Sequence, residues 1–143
     1  MKRLALTVAA LATLLFAGPV SANHEVWRAT FDRGDAPIYG VVTVALNATH
    51  TEGTLSYNLD KMKDGDASIY LHGGTCAKDS GDGIVLRWVT GRDFPNGDWN
   101  GRVDLPDGSA KLFKHDSMYH NGVHVTIKNE GRFECLNMER LPA

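Results

Sequence analysis

Beyond residue 22 the chain has no apolar run approaching the roughly 20 residues that a membrane-spanning helix needs, so no span is expected after that point. It has no basic stripe either. The nearest candidate, Lys111-Leu-Phe-Lys114-His115, is short and diluted, which argues against nucleic acid as a partner. No Gly-x-Ser-x-Gly elbow is present to build a serine hydrolase, and Ser117 beside His115 and Asp116 is adjacency without geometry. Asp64/Asp66 and Asp79/Asp82 look like pieces of calcium loops, but they lack the EF-hand spacing and its closing glutamate and read as solvated turns. Internal repeats, low-complexity tracts and linkers are missing. Cysteine is scarce, with two in 143 residues, which leaves one possible bridge.

What is there begins with a leader. Lys2 and Arg3 are followed by an apolar stretch, Leu4 to Phe16, and by the small residues Val20-Ser21-Ala22 before a cleavage point. Residues 1–22 are expected to be a removable secretory signal, without a cysteine to carry a lipid anchor, and 23–143 a single domain large enough to enclose one core. Lys2 and Arg3 leave with the signal, so 13 basic residues face 17 acidic ones and the net charge is about −4, spread along the chain. A secreted or periplasmic location is expected, and there an even pair of cysteines is more often a bridge than a nucleophile. A Cys76–Cys135 disulfide closes a loop of 59 residues. Such a bridge restricts the unfolded chain by about 4 kcal/mol in the loop-entropy account.

The apolar pattern has period two and is cut by glycine, proline, asparagine and aspartate, which is the grammar of strands. Eight are expected: Val26 to Phe31, Tyr39 to Asn47, Gly53 to Leu59, Ala67 to His72, Ile84 to Thr90, Trp99 to Leu105, Gly122 to Lys128 and Arg132 to Asn137. Breakers at Asp64-Gly65-Asp66, Pro95-Asn96-Gly97 and Pro106-Asp107-Gly108 separate them, and only Ser109 to His115 has room for a helical turn. The fold class that follows is all-β, a single two-sheet antiparallel sandwich or a flattened Greek-key barrel. Strand parity then places side chains. With Ile69, Leu71, Val123 and Val125 inward, Tyr70, His72, His124 and Thr126 point outward. If their strands are neighbours, the two histidines meet there.

Four stretches in this order carry a resemblance. They are Gly40-Val-Val-Thr-Val-Ala-Leu46 with Gly53-Thr-Leu-Ser-Tyr-Asn-Leu59, then Tyr70-Leu-His72-Gly-Gly74-Thr-Cys76, then Met118-Tyr119 with Val123-His124, and Arg132-Phe-Glu-Cys135. Together they resemble the CHRD (chordin-type) domains of secreted bacterial proteins, which are similar in fold to Cu/Zn superoxide dismutase. The resemblance implies a disulfide-stabilised β-sandwich module with a non-enzymatic binding or structural role and an extracytoplasmic ligand or protein as partner. Its departures matter as well. Tyr70 stands where the family often has the first histidine of His-x-His, and no histidine lies between Cys76 and His115, so the dismutase ligand set is incomplete and that activity is not expected.

Two further readings concern particular side chains. Imidazole suits copper and zinc, and His72 and His124 with His115 or His120 would supply the three ligands such a site wants. The plainer reading makes them exposed or loop-edge histidines with ordinary hydrogen bonds and expects no cofactor. Trp27, Trp88 and Trp99 would form a carbohydrate-stacking platform if exposed together, whereas tryptophans more often fill a sandwich core. An enzyme acting on glycan or cell-wall material predicts Trp88 or Trp99 exposed beside a carboxylate cleft. Asn47-Ala-Thr49 is a glycosylation sequon only in a host that glycosylates.

Overall fold

In a computed structural model that describes residues 25–32, 34–113 and 122–142, with backbone alone for 78–82, every run of period-two alternation is a strand. The proposed leader, His115 and His120 lie outside the described residues. The strands are β1 (Glu25–Phe31), β2 (Tyr39–Leu46), β3 (Gly53–Asp60), β4 (Gly65–Thr75), β5 (Lys78–Arg92), β6 (Trp99–Asp104), β7 (Val123–Asn129), β8 (Arg132–Asn137) and β9 (Glu139–Arg140). They form a five-stranded sheet in the order β6-β3-β2-β1-β9 and a four-stranded sheet in the order β5-β4-β7-β8. All pairings are antiparallel, and the two sheets face each other as a sandwich without closing into a barrel.

Alternation decides which residues fill the space between the sheets. Val42, Val44 and Leu46 of β2 and Leu55, Tyr57 and Leu59 of β3 point inward, as do Ile69 and Leu71 of β4 and Val125 and Ile127 of β7. Trp99 is 1% exposed and anchors one end of this core, with Tyr57 edge-on at 5.0 Å and Phe94 at 5.6 Å between ring centroids. The expected helical turn is a 3-10 turn, Ser109–Phe113, that caps the core with Ala110, Leu112 and Phe113.

Two differences from the expected strand map have local causes. Both strands of the β4–β5 hairpin run longer than their apolar cores, and their pairing carries three register irregularities: glycine and aspartate are absorbed between Gly65 and Ala67 and between His72 and Gly74, and Leu86 is the extra residue opposite the step from Ile69 to Tyr70. Asp64-Gly65-Asp66 is therefore not a free turn: Gly65 and Asp66 open β4, Phe94 N donates to Asp64 Oδ1 at 2.6 Å, and Gly91 N donates to Asp66 Oδ1 at 2.9 Å. The second difference is β9, two residues that pair with Trp27 and Arg28 and carry no apolar signal of their own.

One buried amide ties the loops to the four-stranded sheet. Asn129 is 1% exposed; its Nδ2 donates to Lys63 O at 2.8 Å and Asp66 O at 3.0 Å, and its Oδ1 accepts from Lys63 N at 2.7 Å. Arg132 Nη2 also donates to Asn129 Oδ1, while Arg132 Nη1 donates to Pro37 O at 2.6 Å and Lys61 O at 2.7 Å. Burial lowers the guanidinium pKa, and the carbonyl acceptors hold its charge in place.

Candidate functional site: the outer face of the four-stranded sheet

Register places three cross-strand rows on the solvent side of this sheet: Trp88–Ser68–Lys128–Phe133, Val85–Tyr70–Thr126–Cys135, and Gly83–His72–His124–Asn137. Directly opposed side chains in such rows are neighbours. The face is graded from end to end. Trp88 is 62% and Phe133 55% exposed at one end, whereas His124 at the other is 1% exposed.

The covering at the histidine end comes from the chain itself. After His72 the register breaks, Gly74 takes a φ of 84°, and the segment Gly74 to Cys76 folds across the outside of β7. Several contacts hold this strap: Gly74 N donates to Gly122 O at 2.8 Å, His124 Nδ1 donates to Gly74 O at 3.0 Å, Cys76 N donates to Asn137 Oδ1 at 2.9 Å, and Cys76 is disulfide-bonded to Cys135 with Cα atoms 5.9 Å apart. The expected staple is present. The plain reading of His124 as an exposed histidine is corrected: parity does turn it outward, but the strap buries it.

His72 and His124 do meet across β4 and β7. Their rings are stacked, 5° from parallel with centroids 4.8 Å apart. His72 Nε2 shares a hydrogen bond with Thr126 Oγ1 at 3.1 Å. Nitrogen lone pairs lie in the ring plane, so two parallel imidazoles direct them side by side rather than onto one point, and a shared metal would need a ring to turn. Among the described residues no group of three or more His, Cys, Asp or Glu is placed to hold a metal ion.

The three tryptophans do not form one platform. Trp99 is in the core, Trp27 donates its indole N–H to Glu25 Oε1 at 2.7 Å and packs against Phe113, and only Trp88 stands open. Of its partners, strand parity had singled out Tyr70 alone. Trp88, Phe133, Tyr70, Ser68 and Lys128 line a depression of about 530 Å³ whose rim carries Asp66, Glu130 and Arg132. Lys128 Nζ lies 5.2 Å from the Tyr70 ring centroid, across the floor between the two exposed rings. The carboxylates nearest this depression are engaged, since Asp66 N donates to Glu130 Oε1 at 2.6 Å and Asp66 Oδ1 receives Gly91 N.

Away from this face, Glu25 binds His50 Nε2 at 2.8 Å and Arg140 Nη2 at 3.2 Å through Oε2, a cluster that no sequence spacing announces. Asn47 of the sequon folds its side chain into its own turn, with Oδ1 accepting from Thr51 N at 3.0 Å. Compared with family models, with curated proteins and with solved structures, the chain matches none of them.

Proposed function

We propose that the chain is a secreted or periplasmic, non-enzymatic binding module that engages its ligand through the open end of the outer sheet face. The observation that carries this is the pair of exposed rings, Trp88 and Phe133, flanking one depression on a rigid sheet. Large apolar side chains left open in a group mark interaction sites, whereas scattered ones need no explanation. The disulfide supports an oxidising compartment. The carboxylates beside the depression, Asp66 and Glu130, each accept a backbone N–H through one oxygen and so help to fix the turn that borders it. The resemblance to CHRD domains fits the same kind of module. Copper or zinc on His72 and His124 is the lesser reading, because a shared ion requires one stacked ring to leave its hydrogen bond.

Arrays of glycans, peptides and lipids probed with the purified chain and with Trp88→Ala and Phe133→Ala test the proposal. Binding that disappears in both variants supports it. A chain that binds nothing, or binds equally well in both variants, overturns it.

A further inference from the structure

We infer that the ligand of this face is a saccharide chain, laid along the row from Trp88 to Phe133; the inference rests on the binding reading above. The order of polarity along the row is its basis. A protein–protein contact places apolar side chains at its centre and charges at its rim. Here the sequence across the strands is ring, hydroxyl, ammonium, ring: Trp88, Ser68, Lys128, Phe133. The apolar groups are at the ends and the polar ones in the middle. A sugar chain has the matching character, because each ring offers a C–H face that covers an aromatic surface and hydroxyl edges that donate and accept hydrogen bonds.

Charge narrows the class further. The depression is lined by two acids, Asp66 and Glu130, and two bases, Lys128 and Arg132, and Arg132 is committed to carbonyl oxygens beneath the sheet. No field of one sign remains to favour a nucleic acid or an anionic membrane. The polar groups that remain include the exposed Lys128 ammonium, which has three donors, and, at the floor, the Ser68 hydroxyl, which is 7% exposed and both donates and accepts. Such a set suits neutral hydroxyls.

Dimension sets the size of the ligand. Trp88 and Phe133 lie on strands three spacings apart, about 14 Å. One sugar ring cannot cover both, so an oligomer is required and a monosaccharide is a poor ligand. The site is also preorganised: its side chains stand on strands rather than loops, and Lys128 is held against Tyr70.

Titration of the isotope-labelled full chain with cellohexaose, with chitohexaose and with their monosaccharides tests this by NMR. At least one hexasaccharide is expected to shift the Trp88 indole N–H and the amides of Ser68, Lys128 and Phe133 while leaving Glu25 and His50 unmoved. Trp88→Ala and Phe133→Ala should each weaken that affinity tenfold or more, roughly the effect of losing one stacking contact. Lys128→Met, which keeps the stem over Tyr70 and removes the donors, should weaken it several-fold. Shifts confined to other surfaces, affinity indifferent to these substitutions, or no shifts with either hexasaccharide at millimolar concentration overturn the saccharide assignment. In that event a peptide or lipid array signal lost in Trp88→Ala and Phe133→Ala still upholds the binding face, so the two readings fail separately.

Discussion

Gly83 lies flat against the imidazole of His72: a methyl group built on Gly83 would stand 2.5 Å from Cε1 and 2.8 Å from Nδ1. His124 closes the other side of the same ring. The imidazole is thus held between a bare backbone and a second imidazole. Gly83→Ala is expected to destabilise the fold by about 1 kcal/mol, the scale of mild overpacking, and to shift the His124 ring protons as the stack opens. Urea unfolding and proton NMR measure both; a variant as stable as the parent with unchanged ring shifts would show that the stack is loose.

Removing the bridge acts on the unfolded chain and on the strap together. The double variant Cys76→Ser, Cys135→Ser is expected to lose about 4 kcal/mol by the loop-entropy account, read as a lower urea midpoint. His124 is now sealed at 1% exposure, and in the variant it should react readily with an imidazole-acylating reagent. Unchanged protection of His124 would mean that the hydrogen bonds alone keep the strap closed.

Trp88 and Trp99 make a matched pair for stability. Trp99→Ala empties the end of the core beside Tyr57 and Phe94 and should cost about 3 to 5 kcal/mol. Trp88→Ala removes an open ring and should stay within about 0.5 kcal/mol. Melting curves of the two variants decide the point, and a large loss in Trp88→Ala would move that ring from binding to packing.

Asn129→Ala strips two carbonyls and one N–H of their buried partner and is expected to cost about 3 kcal/mol. Asn129→Asp should not rescue it, since an acceptor would then face Lys63 O and Asp66 O, although Arg132 would gain a charged partner. Equal stability of Asn129→Asp and the parent would contradict the assigned orientation of the amide.

The strands and the outward turn of His72 and His124 were legible in the sequence because both follow from parity, which needs only neighbouring residues along one strand. The burial of His124 was not, since it comes from a register break after His72 that sends Gly74 to Cys76 across another strand. The partnership of Trp88 with Phe133 was hidden for a related reason. Those residues are 45 positions apart on strands that are not sequential neighbours, and only the order β5-β4-β7-β8 brings them onto one row. The disulfide was read from an expected oxidising compartment and from the cysteine number, neither of which depends on strand pattern.

The strap and its bridge also determine how the molecule bears load. Pulling on the C-terminal end draws out β9 and the last residues of β8, and then the tension reaches Cys135 and passes through a covalent bond into the β4–β5 hairpin. The 59-residue span between the cysteines is withheld from extension. That amounts to roughly 200 Å of contour that a reduced chain would pay out and an oxidised one keeps folded back. A module attached to a surface by its C-terminal end would therefore lengthen less under load than the same chain with its bridge reduced.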